Sequence, residues 1–250
     1  MPELPFAGKV KFFVYIVESP SAVDIYHKRS ESDLLQKVLE LEGIPSVARL
    51  AISRAAFYAA MTVGIAEEMK NFEDRIPIVH VSAHGSSEAI QLSSGEVLDW
   101  DELRRLLVPI NKALQGRLLV AMSCCEGHSG IRMAMSDNPT ADFPFAAIVG
   151  ATSSPTWSDT AVAYSTFYHL IRKGAYLSDA VAAMRNACGE ETFFVSMSGE
   201  IRKGYIEYIQ NLDTHAAQQE LEAATEDTQQ AQPDAMAKAT EFEVAPEPDV

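Results

Sequence analysis

The sequence predicts an α/β fold, a three-layer α/β/α sandwich built on a mostly parallel sheet of about six strands. Three observations carry that expectation. Apolar, β-rich runs alternate along the chain with amphipathic helical patterns, as they do in βαβ units. Several of the runs are apolar at nearly every position, which suits strands covered on both faces. The 250 residues, 47% of them hydrophobic, suffice for one sizeable core, and no internal repeat divides them.

Taken in order, the strands are VKFFVYIV (10–17), VARLAI (47–52), IPIVHVSA (76–83), RLLVAMS (117–123), FAAIVGA (145–151) and TFFVSMS (192–198). The first helix pattern, SDLLQKVLELEG, sets Leu34, Leu35, Val38 and Leu39 on one side and stops at Gly43. A second pattern, ISRAAFYAAMTVGIAEEMKN, follows the second strand. In DWDELRRLLVPINKALQG, Asp99 and Glu102 have capping-box spacing, Leu103, Leu106, Leu107, Ile110 and Leu114 form a stripe, and Pro109 predicts a kink. Before it, AIQLSSGEVLDW alternates around Ser94-Gly95 and reads as a small hairpin. The patterns SDTAVAYSTFYHLIRKG and LSDAVAAMRNACG complete the helices.

Charge divides the chain into an expected domain, 1–213, and an acidic tail, 214–250. Of the 35 acids and 20 bases, nine acids and one base (Lys238) fall in the tail, leaving a net −7 in residues 1–213 out of −15 overall. The tail is rich in Ala, Gln, Glu and Pro, a composition expected to be disordered, with a nascent helix at 216–224. It could dock on a regulatory protein partner. An acidic chain without basic stripes argues against nucleic acid as a partner. No apolar run approaches a membrane span, and MPELPFAGKV lacks a signal-peptide pattern. The three cysteines, two of them adjacent, imply no disulfide framework. These features together predict a cytoplasmic protein.

Chemistry is expected past the carboxyl ends of the strands, where open parallel sheets bind ligands. The third strand runs into SAHGSS, which places His84 just past it, and the fourth into SCCEG, which places two thiols just past it. If those strands are neighbours, His84 and a cysteine face each other as the parts of nucleophilic acyl transfer.

These two blocks carry a resemblance. VHVSAHGSS, with its His 41 residues before Cys125 in LLVAMSCCEG, resembles the His and Cys blocks of caspase-like cysteine peptidases, the group of caspases, metacaspases, separase and bacterial CHAT-domain proteases. The segment from Trp157 to Ala187 is similar to the end of CHAT domains. In the family's registers, Gln-Ala-Cys-x-Gly, Ser-Ala-Cys-Glu-Thr-Gly and Asp-Cys-Cys-His-Ser-Gly, the nucleophile is Cys125 and the small residue before it is Cys124. The resemblance implies a cysteine endopeptidase acting on protein or peptide substrates, with a His84–Cys125 dyad and no cofactor. It implies an oxyanion hole of the Gly85 and Cys125 backbone N–H groups, and Ser123, Trp157 and Asp159 as substrate-binding residues. Ser123 stands where metacaspases carry Asp. The expected residue before the scissile bond is therefore neutral or basic, with Asp159 as a candidate pocket carboxylate, Asp142 more remote, and Arg132 the single arginine near the site.

Plainer readings stand beside these. His80, inside a strand, reads as a core histidine and Cys188 as a core thiol. Asp159 also suits a helix N-cap. His128 and the cysteines lack zinc-ligand spacing, so no metal is expected. An inactive caspase-fold scaffold and a small-molecule thiol hydrolase are the alternatives, although the Gly of a nucleophile elbow is missing two residues before Cys125.

Overall fold

A computed structural model describes residues 10–230. The expectations for residues 1–9 and for the tail from 231 onward lie outside the described residues. The chain divides into two compact units, residues 1–203 and 204–250.

The first unit is α/β. It begins with β1 (Phe12–Ser19), α1 (Ala22–Tyr26), α2 (Glu31–Leu41) and β2 (Ser46–Leu50), followed by α3 (Arg54–Ala59) and α4 (Ile65–Asn71) joined through a π turn at Ala60–Gly64. Next come β3 (Ile76–Gly85), β4 (Ala89–Gln91), β5 (Val97–Asp99), α5 (Trp100–Ala113) and β6 (Leu119–Ser123). A 3₁₀ segment at Gly127–Ala134, β7 (Ala147–Ala151), α6 (Trp157–Arg172), α7 (Leu177–Cys188) and β8 (Phe193–Met197) follow, and the unit ends in the first residues of α8 (Ser198–Gln230). The main sheet runs β2-β1-β3-β6-β7-β8; all its pairings are parallel except β7 with β8. The expected hairpin is β4–β5, and β4 also pairs with the end of β3.

Every residue of β1, β6 and β7 is buried, as the uninterrupted apolar runs predict. Helices α2, α6 and α7 pack side by side, while α5 packs on the π turn and on the 3₁₀ segment. The sequence pattern errs in detail on α2. Leu35 and Leu39 are buried but Leu34 is exposed, because Glu31 and Ser32 fill the inward positions of the first turn. The π turn has a cause that lies outside the helical pattern at 52–71. Tyr15 of β1 donates its hydroxyl to the Ala60 carbonyl at 2.8 Å, and a Cβ at Gly64 would fall 2.5 Å from that oxygen. A side chain inserted into the ladder opens a helix in this way.

Capping at α5 is half as expected. Asp99 accepts from the Glu102 N–H at 2.7 Å, but the Glu102 carboxylate turns to Arg54 and Tyr58 instead of back to the cap. Pro109 lies inside α5, which continues past it.

The second unit begins at Gly204, earlier than the expected boundary after residue 213. The helical run of α8 extends through residues 214–230, consistent with the helix propensity of an Ala/Gln/Glu-rich stretch. Among the described residues, no helix is long and apolar enough to cross a membrane.

Candidate active site

Strands β3 and β6 are neighbours, and their register pairs Ser82 with Ser123. His84 and Cys125 each lie two residues beyond that pair. Adjacent strands are about 4.8 Å apart, so the ends of these two deliver the imidazole and the thiol to the same level. A cavity of about 370 Å³ opens there, lined by Ala83, His84, Ser123, Cys124 and Cys125 on one side. Ser154, Pro155, Thr156, Trp157 and Thr160, from the loop after β7 and the first turns of α6, line the other. Trp157 stands edge-on to the His84 ring, with centroids 6.2 Å apart.

The two adjacent thiols have different surroundings. Cys124 is 4% exposed and belongs to the core, and burial pushes its thiol far above the ordinary range, with negative charge at Cys125 and Glu31 acting in the same direction. Cys125 is half-buried at the cavity wall. All three cysteines are free. Gly85 is required by this packing, since a Cβ there would sit 2.5 Å from the Cys125 carbonyl oxygen and 3.0 Å from the Cys124 Cβ. Gly127 is equally confined, since a Cβ there would sit 2.8 Å from the Cys124 Sγ.

The residue after Cys125 is strained. Glu126 has φ 52°, in the left-handed region, which costs a non-glycine residue on the order of 1 kcal/mol. Its N–H bonds to the Ser153 carbonyl at 2.8 Å, which ties the cysteine turn to the loop across the cavity.

Two buried acids without a catalytic signal in the sequence, Glu31 and Asp24, complete the site, and a third, Glu18, supports Glu31. Glu31 accepts from the Ser82 hydroxyl at 2.6 Å and from the Ser123 hydroxyl at 2.8 Å. One carboxylate therefore holds the residues two positions before His84 and two before Cys125. Glu18 of β1 in turn accepts from the Glu31 and Ser32 N–H groups and from the Ser30 and Ser32 hydroxyls, anchoring the start of α2. Asp24, in α1 just past β1, has Oδ2 3.7 Å from His84 Nε2. The only sequence signal for either acid is a serine cap: Ser21 ahead of Asp24, and Ser30 ahead of Glu31.

The remaining candidates fall into place around this centre. Ser123 lines the cavity, but its hydroxyl is committed to Glu31. Asp159 is not among the cavity-lining residues. It forms a full capping box with Thr156, whose hydroxyl and N–H hold its carboxyl below the usual range. Asp142 pairs with Lys112 at 2.9 Å, and Arg132 with Glu88 at 2.8 Å. His80 is fully buried, with Nδ1 2.8 Å from the Tyr168 hydroxyl, and its Nε2, 3.8 Å from Glu31, has no hydrogen-bond partner. His128 meets Ser196 at 3.0 Å, and burial lowers its pKa. Among the described residues, no group of three or more His, Cys, Asp or Glu side chains is placed to hold a metal ion.

Neither a scan against protein-family models nor a search of the curated proteins finds a match to this chain.

Proposed function

We propose that the chain is a cysteine endopeptidase of the caspase-like type, with Cys125 as nucleophile and His84 as general acid and base. One observation carries this reading: an imidazole and a half-buried thiol, Cys125, delivered by the ends of neighbouring parallel strands, line one cavity, in which the second thiol, Cys124, is almost fully buried. The two groups of packed helices are then the outer layers of a three-layer sandwich. In the reaction, the Cys125 thiol loses its proton to His84 and attacks the substrate carbonyl carbon. The oxyanion that forms is held by the Gly85 and Cys125 N–H groups, which the close backbone approach at Gly85 favours. His84 returns the proton to the departing amine as the C–N bond breaks, leaving a thioester. Water, deprotonated by His84, then attacks the thioester and releases the acid product and the free thiol.

The substrate is a protein or peptide, in a reducing compartment such as the cytoplasm. A peptidyl electrophile should label the wild-type chain at Cys125, and His84→Ala should lower the labelling rate by about 10² or more. Full-rate labelling in that variant overturns the dyad. No labelling of a folded wild-type chain leaves the inactive scaffold as the better reading.

Specificity follows from charge. No guanidinium lines the cavity, and the arginines near it already face carboxylates of the protein, Arg132 against Glu88 and Arg29 3.8 Å from Asp24. The nearest carboxylates, Asp24 and the Glu31 behind Ser123, favour a neutral or basic side chain. A positional-scanning library should show cleavage after Arg or Leu well above cleavage after Asp. Asp159→Ala should leave that ranking unchanged, since its carboxylate is spent on the cap; strong cleavage after Asp overturns the charge argument.

A further inference from the structure

Asp24 is a carboxylate that the reaction above does not use. It is 5% exposed, unusual for an acid unless it is partnered. Its partners are few. The Ser21 hydroxyl donates to Oδ2 at 2.5 Å, and Arg29 lies 3.8 Å from Oδ1 with most of its side chain in solvent, where its charge is screened. The third is His84, whose Nε2 stands 3.7 Å from that same Oδ2. The site lies between the carboxyl ends of β1 and β3, where the chain's excursions to either side of the sheet diverge. The other groups around the imidazole carry no competing charge at contact: Trp157 is a neutral ring in a T-shaped arrangement, Glu31 is bonded to Ser82 and Ser123, and Cys125 is the reacting group.

We propose that Asp24 is the positioning residue of the dyad, a carboxylate that turns Nε2–H of His84 toward itself and leaves Nδ1 to exchange the proton with Cys125. This rests on the reading of His84 and Cys125 as a dyad. An imidazole has two nitrogens, and the one that holds a proton against a carboxylate fixes the other as acceptor. The same negative charge stabilises the imidazolium that forms when the thiol ionises, so it promotes the thiolate–imidazolium pair. Asp24 touches neither substrate nor thiol and acts through His84 alone.

The full-length chain tests this with three variants. Asp24→Asn keeps the shape and removes the charge, Ser21→Ala removes the local cap and keeps the charge, and Asp24→Glu keeps the charge on a longer arm. The readouts are the pH profile of Cys125 alkylation by iodoacetamide and the kcat and KM for a peptide. In D24N the alkylation profile should move to higher pH by about one unit, and kcat should fall about tenfold or more with KM within about twofold. S21A should leave both near wild type, and D24E should restore part of the alkylation rate. A D24N profile that does not move overturns the proposal, as does an S21A effect equal to that of D24N, which would make Asp24 a cap for α1. If D24N melts early, D24E decides, because a folded D24E with no recovery overturns the proposal as well. A profile that shifts as expected in a chain that cleaves no peptide upholds the carboxylate–imidazole coupling and sinks the peptidase reading instead.

Discussion

Cys125→Ala should abolish peptide cleavage, a loss of about 10³-fold or more, while Cys124→Ala keeps most of the wild-type rate. Both cysteines lie in the turn beyond β6, where Cys124 is almost fully buried and Cys125 half-buried. Cys124 is the inward one, packed against Gly85 and Gly127, with burial pushing its thiol up and away from the reactive thiolate. Its replacement removes a buried sulfur from the cavity lining and should lower stability by about 1 kcal/mol, leaving the half-buried Cys125 thiol in place. Cys125 lines the cavity beside His84, and its loss removes the attacking atom. His128→Ala serves as a control, since that ring is turned to Ser196 and Phe194. A fluorogenic peptide assay with melting curves for all three variants decides the matter. Equal loss from both cysteine variants, both folded, would show that the assignment of roles is wrong.

Glu31→Ala should be the most damaging single change outside the dyad. Two serine hydroxyls donate to this carboxylate, and it lies 3.8 Å from a buried His80 nitrogen that has no other partner. Removing one member of such a network strands the others without water, which costs about 2–4 kcal/mol. The effect also reaches the chemistry, because the freed hydroxyls sit two residues before His84 and two before Cys125. Glu31→Gln should be milder, at about 1–2 kcal/mol, since the amide keeps one acceptor and the serines can rotate to accept from its NH₂. Denaturant unfolding of the two variants gives both numbers. An alanine variant as stable as wild type would mean that Ser82 and Ser123 do not depend on Glu31.

Much of this architecture is legible in the sequence because its signals are local. Strand and helix periods repeat within a few residues, and the caps at Asp99 and Thr156 involve partners three positions away. The placement of His84 and Cys125 just past apolar runs is equally local, whereas the strand alternation expected to separate the two cysteines does not reach them, because β6 ends at Ser123. The N-cap reading of Asp159 misses by three residues: Thr156 is the cap of α6, and Asp159 is the third residue of its capping box, returning its carboxylate to the Thr156 N–H and hydroxyl.

What only the tertiary structure decided are the meetings across long separations. An alternation of strands and helices does not state which strands are neighbours. It was the order β2-β1-β3-β6-β7-β8 that set β3 beside β6, and hence His84 beside the cysteine turn. The same order brings Asp24 to His84, 60 residues away, and joins Glu31 to Ser82 and Ser123 across separations of 51 and 92 residues. The π turn in the helix after β2 exists because Tyr15, 45 residues earlier, places its hydroxyl on Ala60. A buried acid or a displaced turn leaves no periodic trace in its own neighbourhood, because the group that satisfies it is brought near only by the packing of the sheet.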